Sequence, residues 1–115
     1  MRYYKFRIKM FSNKKLYNKL KRLQEEQIPD TRSVNVLLSE IARRDPVEYE
    51  AAKIEVEVER SERHAVREAT SILHLEIKYN ADYLAKPESE TDPYERKLRA
   101  AKLEMVQKVL ERRRN

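Results

Sequence analysis

Few side chains in this sequence have the types and spacing that catalysis or metal binding requires. The 115-residue chain has no cysteine and no glycine, which excludes a thiolate nucleophile, a thiolate zinc site and a phosphate-binding glycine loop. Its two histidines, His64 and His74, fall on different faces of a helix and do not predict a shared metal site. The sequence therefore predicts a protein that is not an enzyme and that uses no cofactor or metal.

The spacing of three cations near the N-terminus, Lys5, Arg7 and Lys9, points to binding instead. They alternate with apolar residues over 3–10, which predicts a strand with one basic and one apolar face. A lone strand needs a partner, and about 40 residues are too few to bury a core, so we expect an obligate dimer with an intermolecular antiparallel ribbon. Such a ribbon fits the DNA major groove, where Arg and Lys bond guanine. Protection of a strand edge against aggregation also explains the cations.

Two amphipathic helices are expected to support this strand. The first covers about 13–26, with Ser12 as its N-cap, and Pro29 lies in the turn that follows it. The second runs to about Arg44, with Ser33 as its N-cap candidate. Their apolar stripes, at helical spacing, are Leu16, Leu20 and Leu23 in the first and Val34, Leu37, Leu38 and Ile41 in the second.

This order of strand, capped helix, turn and Arg32-Ser33-Val34-Asn35 resembles the ribbon-helix-helix family of DNA-binding proteins, which includes the Arc and methionine repressors. The resemblance covers about residues 3–44 and implies that Lys5, Arg7 and Lys9 contact bases. It also implies that the amides of Ser33, Val34 and Asn35 bind a phosphate, and we expect Arg32 and Lys14 to contact phosphates as well. The dimer core would contain Phe6, Ile8, Met10, Leu37, Leu38 and Ile41.

The remaining residues, 46–115, predict a helical stalk behind a DNA-binding domain of residues 1–45. From Val47 to Tyr79, mostly apolar or small residues recur at alternating spacings of four and three, a heptad-like seam. This seam predicts one long helix over about 46–85 that starts with Pro46 after an Asp45 cap. The segment 86–93 is a break, and 94–114 is a second helix, which either folds back on the first or pairs between chains. We expect the stalk to serve oligomerisation or protein partners. The arginines at 112–114 predict a solvated tail, with DNA contact as the alternative.

The distribution of charge supports a polyanion partner for the N-terminal part. Residues 1–45 have a net charge of +7, residues 46–85 of −4 and residues 86–115 of +3. A merely solvated basic surface is the alternative explanation. No apolar run is long enough to cross a membrane, and the N-terminal residues have no apolar signal core, so we expect a cytoplasmic protein without membrane contact.

These features predict a sequence-specific protein that binds double-stranded DNA as a homodimer or a higher oligomer. A ribbon-helix-helix domain followed by a helical stalk resembles relaxosome accessory factors of Gram-positive conjugative plasmids. That resemblance implies binding and bending of an origin of transfer and recruitment of the relaxase and the coupling protein. A transcriptional repressor is the first alternative. A helical interaction adaptor that does not bind nucleic acid is the second.

Overall fold

The computed structural model of the protein describes residues 8–26 and 30–114, and these residues are mainly helical. The α-helices are α1 (Asn13–Gln24), α2 (Thr31–Arg44), α3 (Pro46–Ala65), α4 (Thr70–Ala85) and α5 (Pro93–Arg114), with a short 3-10 helix at Glu88–Glu90. The chain forms two compact units, Met1–Lys53 and Ile54–Asn115, and the division between them falls within α3.

The predicted strand is not present in the part of it that the structure describes. Ile8 is helical, Lys9 and Met10 form a turn, and the amide of Phe11 donates to the carbonyl of Ile8 at 3.0 Å. Residues 3–7 of that strand lie outside the described residues. The physical reason is the one that predicted a dimer: a single chain offers this segment no second strand, so its backbone groups are satisfied by local bonds instead.

Helix α1 matches the sequence prediction at its start and ends two residues earlier than expected. Ser12 is the N-cap, and its hydroxyl accepts from the amide of Lys15 at 3.2 Å. The predicted apolar stripe of Leu16, Leu20 and Leu23 is buried. Helices α1 and α2 pack against each other, so this stripe and the stripe of α2 provide the buried interior of the first unit.

Helix α2 begins two residues before Ser33, the predicted cap, because Asp30 is the true N-cap. One carboxylate oxygen of Asp30 accepts from the amide of Ser33 at 3.2 Å, and the other accepts from its hydroxyl at 2.8 Å. A carboxylate can receive both bonds at once and also favours the positive end of the helix dipole. The next predicted cap is confirmed: α3 starts at Pro46, and Asp45 accepts from the amides of Val47 and Glu48.

The long helix expected over 46–85 is wrong, because residues 66–69 separate α3 from α4. The last turn of α3 closes with short-range bonds, from Arg67 to the carbonyl of His64 and from Glu68 to that of Ala65. No glycine or proline marks this break in the sequence. The heptad-like seam is therefore not one continuous buried stripe: Val47 is 77% exposed, whereas Ala65 is buried.

The second unit contains a helical hairpin of α4 and α5, one of the two arrangements expected for the last helix. The break at 86–93 is confirmed, and α5 turns back so that its apolar residues pack with the end of α3 and the inner face of α4. The buried cluster consists of Ala65, Leu73, Met105, Val106, Val109 and Leu110, with Val58 and Ile77 packed against it.

Arginine side chains close helix ends in this protein, where glycine commonly does so. Nη2 of Arg113 donates to the carbonyls of Ala65, Val66 and Glu68, the last at 2.7 Å, beyond the end of α3. Arg96 closes α4 in the same way, through bonds from Nη2 to the carbonyl of Leu84 at 3.1 Å and from Nη1 to that of Lys86 at 3.2 Å. These guanidinium groups satisfy carbonyls that have no partner within their own helix.

Candidate nucleic-acid interface

The first unit has a row of cations on one side of α1, which we call the basic face: Lys14, Lys15, Lys21 and Arg22. All four side chains are exposed. At about 100° per residue they lie opposite the buried leucine stripe of the same helix. The face therefore presents four positive charges to solvent from one rigid element, an arrangement suited to a row of phosphates.

The N-terminus of α1 adds to this positive potential. The first turn of the helix contains Lys14 and Lys15 and no acidic residue. The ammonium of Lys15 lies 4.1 Å from the centre of the Phe11 ring, which restricts where that charge sits. Because the helix dipole is positive at this end, the dipole and the two lysines favour the same anionic partner.

The predicted phosphate site at the start of α2 is not accessible in this structure. Ser33 and Val34 are fully buried, and the amide of Ser33 already donates to the carboxylate of Asp30. That carboxylate places a negative charge where a phosphate was expected. Arg32 and Asn35 remain exposed beside it, so of the predicted phosphate contacts Arg32, Asn35 and Lys14 are on the surface.

Two of the three predicted base contacts, Lys5 and Arg7, lie outside the described residues, as does Phe6 of the predicted dimer core. Lys9 is exposed, and its backbone is held in place: Nη2 of Arg44 donates to the carbonyls of Ile8 and Lys9, at 3.3 and 3.1 Å. Arg44 also donates to Oδ1 of Asn13 at 2.9 Å. These bonds fix the turn before α1 against the end of α2.

The predicted dimer core divides into a buried and an exposed part in the single chain. Ile8, Leu37 and Ile41 are at most 2% exposed, and Leu38 is 9% exposed. Met10, by contrast, is 86% exposed. The buried residues have thus found apolar surroundings within one chain. Among the predicted core residues that the structure describes, only Met10 offers surface to a partner without rearrangement.

The ion-pair cluster at the end of α2 is separate from the basic face. Glu40 is 7% exposed and accepts from Arg43 at 2.7 and 3.1 Å and from Nε of Arg44 at 3.0 Å. The hydrogen bond from Arg43 is the largest of the causes that lower the pKa of the Glu40 carboxyl to about 2. Glu40 thus offsets two cations of α2, Arg43 and Arg44, rather than those of the basic face. Elsewhere in this unit, burial, together with the nearby carboxylates of Glu48 and Asp45, raises the pKa of the Tyr17 phenol.

The second unit contains a groove of about 330 Å³, in whose lining Arg99, Glu95 and Asn80 are joined by hydrogen bonds. Arg99 donates to Oε1 of Glu95 at 3.0 Å and to Oδ1 of the buried Asn80 at 3.3 Å, and it stacks over the Tyr83 ring. Within residues 8–26 and 30–114, no cluster of His, Asp and Glu side chains has the composition of a metal site. None of the helices in the described part of the chain has the length and apolar character of a membrane span.

Helical spacing places the four cations of the basic face on the outer face of α1, but Lys14 alone among them was predicted to contact a phosphate. The signal was present: Ser12 is a strong N-cap, and the first acidic residue of the chain is Glu25. Asp30 was not predicted as a cap, because Ser33 follows it as an equally common capping residue. Comparison with known proteins adds no further assignment, because no family model matches the chain and no curated protein or solved structure is significantly similar to it.

Proposed function

We propose that the protein binds double-stranded DNA through the basic face and N-terminus of α1. The observation that supports this most strongly is the exposure of Lys14, Lys15, Lys21 and Arg22 on one side of a capped helix with no acid in its first turn. Phosphate contacts by such cations supply the sequence-independent part of DNA affinity and position the protein on the duplex.

We propose that the intermolecular ribbon of residues 3–10 recognises the DNA sequence. In a dimer, the second chain would supply the strand partner that a single chain lacks, and Ile8, Lys9 and Met10 would leave their helical turn to pair with it. The exposure of Met10 is consistent with an apolar partner surface on this segment. Lys5, Arg7 and Lys9 would then read bases in the major groove, while the basic face contacts the backbone.

The biological role we propose is that of a relaxosome accessory factor, which binds and bends a plasmid origin of transfer and recruits the relaxase. The second unit, with its own buried cluster, is what supports recruitment, since a DNA-binding domain alone does not need it. A transcriptional repressor is the alternative. Selection of bound sequences from random duplex DNA, with the Lys5→Ala/Arg7→Ala/Lys9→Ala variant as control, distinguishes the two by the location of the selected repeat: beside a nick site or beside a promoter.

A pair of charge-matched triple variants tests the DNA proposal. Lys14→Gln/Lys21→Gln/Arg22→Gln removes three charges from the basic face, and Arg67→Gln/Lys78→Gln/Arg114→Gln removes three exposed charges outside α1. Fluorescence anisotropy with a labelled duplex, repeated at several salt concentrations, gives the affinity and its salt slope.

The basic-face variant is expected to reduce the slope of log K against log salt by about 2–3, because each lost phosphate contact removes about 0.9. The control variant should keep the wild-type slope. Equal losses in the two variants would mean that net charge, not this surface, attracts DNA. Failure of the wild-type chain to bind DNA at low salt would favour the remaining alternative, a helical interaction adaptor.

A further inference from the structure

Arg44 connects the turn before α1 to α1 itself and to α2. Its Nη2 donates to the carbonyls of Ile8 and Lys9, at 3.3 and 3.1 Å. Its Nη1 donates to Oδ1 of Asn13, the first residue of α1, at 2.9 Å, and its Nε donates to Oε1 of Glu40 at 3.0 Å. Every nitrogen of the guanidinium group therefore has a partner, and the Arg44 side chain is 18% exposed. These charge-assisted bonds hold the group in a fixed place against the turn.

The two bonds from Arg44 to the turn require its folded shape. In an extended strand, successive carbonyls point to opposite sides of the chain, so one nitrogen cannot donate to both Ile8 and Lys9. The carbonyl of Ile8 also accepts from the amide of Phe11 at 3.0 Å, a bond that closes the turn. An antiparallel ribbon over 3–10 would instead direct one of these two carbonyls at the partner strand. The Arg44 contacts therefore stabilise the turn and are lost when the segment becomes a strand.

The turn also separates two apolar side chains that a ribbon would bring together. Ile8 is 1% exposed, whereas Met10, two residues later, is 86% exposed. In a strand, residues two apart lie on the same face, so both would lie on the apolar face of the ribbon. Asn13 and Glu40, by contrast, lie within α1 and α2 and need no movement when the segment opens. The contacts of Arg44 with the turn are thus the ones that differ between the two states.

We propose that Arg44 is an autoinhibitory latch: it holds residues 8–10 in the turn and thereby opposes formation of the intermolecular ribbon. The inference rests on the proposed function, since the ribbon is the part of it that recognises the DNA sequence. A conformational equilibrium is shifted only by contacts that differ between its two states, and the bonds from Nη2 to the Ile8 and Lys9 carbonyls are such contacts. A second chain must supply strand bonds that outweigh them before the dimer forms.

Sedimentation velocity of the full chain, over a range of concentrations, tests the latch. Arg44→Gln removes two charge-assisted bonds to the turn, so the fraction of chains with an open segment is expected to rise about 10-fold. A dimer needs two open chains, so its Kd should fall by about 100-fold. Arg44→Lys should act in the same direction, because a single ammonium cannot hold Asn13, Glu40 and the turn at once. If Arg44 were merely structural, both variants would weaken the dimer.

Arg43→Gln is the matched control. Arg43 has the same charge and donates to the same carboxylate of Glu40, at 2.7 and 3.1 Å, with a side chain that is 60% exposed. This variant should keep Kd within about 2-fold of wild type. Hydrogen exchange of the Phe11 amide, whose bond to Ile8 closes the turn, is expected to be about 10-fold faster in Arg44→Gln than in the control. Infrared spectra of the dimer should show a strand band that the monomer lacks.

The outcomes separate the latch from the ribbon. If the wild type dimerises with a strand band and Arg44→Gln dimerises equally or more weakly, the latch is overturned and the ribbon of the proposed function stands. Exchange at Phe11 that does not respond to Arg44→Gln also overturns the latch. If the wild type and both Arg44 variants stay monomeric at about 100 μM, or dimerise without a strand band, the ribbon itself is wrong and the latch fails with it.

Discussion

Removal of the Arg113 guanidinium should destabilise the second unit, although this residue lies in the last turn of the last helix. Its Nη2 donates to the carbonyls of Ala65, Val66 and Glu68, and its Nη1 donates to Oγ1 of Thr70 at 3.1 Å. The side chain thereby ties the end of α5 to the turn between α3 and α4. Arg113→Ala removes these hydrogen bonds, so the end of α5 is no longer tied to the turn between α3 and α4.

The size of the effect follows from the geometry. A hydrogen bond to a charged group contributes about 1.5–3 kcal/mol, but three of the carbonyls share one nitrogen, and the residue is exposed. We therefore expect a net loss of about 1–2 kcal/mol in the free energy of unfolding. For a unit of this size that loss lowers Tm by about 8–15 °C.

Urea and thermal unfolding, followed by circular dichroism, measure this difference. Arg114→Ala is the control, because Arg114 is the neighbouring residue with the same charge and makes no hydrogen bond or ion pair with any described residue. Its stability should stay within about 0.5 kcal/mol of wild type. Arg113→Lys should behave like Arg113→Ala, since a single ammonium cannot reach the same set of carbonyls. Equal losses in the free energy of unfolding for Arg113→Ala and Arg114→Ala would refute the capping role. The effect would then come only from a positive charge near the end of the helix.

Two further predictions concern the first unit. Because its ion pairs hold the pKa of Glu40 at about 2, below the ordinary 4.5, they stabilise the fold above pH 4.5, and this contribution is lost as the pH falls towards 2. Glu40→Gln should lower the free energy of unfolding by about 1–2 kcal/mol at pH 7, a value reduced for the solvent exposure of Arg43. Near pH 2 the variant and the wild type should be almost equally stable. A difference in urea unfolding that does not change with pH would contradict this. Asp30→Ala should cost about 1 kcal/mol through loss of the α2 cap, whereas Asp30→Asn should keep most of the stability. A chemical denaturation midpoint of Asp30→Ala equal to that of the wild type would show that the cap does not matter.

Local sequence pattern predicted the helices but not all of their limits. The leucine period of α1, the stripe of α2 and the Asp45-Pro46 start of α3 were readable because periodicity and capping are properties of neighbouring residues. The alternating segment 3–10 was read as a strand on the same grounds. At Ile8, however, the structure shows a helical turn, because strand formation depends on a pairing partner that no local pattern contains.

The features that the sequence did not reveal depend on contacts between distant residues. Arg113 lies more than forty residues from the carbonyls it satisfies, so its spacing showed only a basic helix end. The break after Ala65 has no glycine or proline, and its closing group comes from another helix. At the start of α2, the sequence predicted Ser33 as the cap, whereas the structure shows Asp30 in that role because its carboxylate reaches the amide and the hydroxyl of Ser33.

The most direct test of the DNA proposal is the salt dependence of binding of the wild-type chain to a short duplex of random sequence. Four exposed cations on the basic face predict a slope of about −3 to −4 in log K against log salt. This slope corresponds to a loss of about 100-fold in affinity between about 50 and 200 mM salt. An affinity that does not change over this range, or no detectable binding at its lower end, would contradict the assignment of α1 as a DNA-contacting surface.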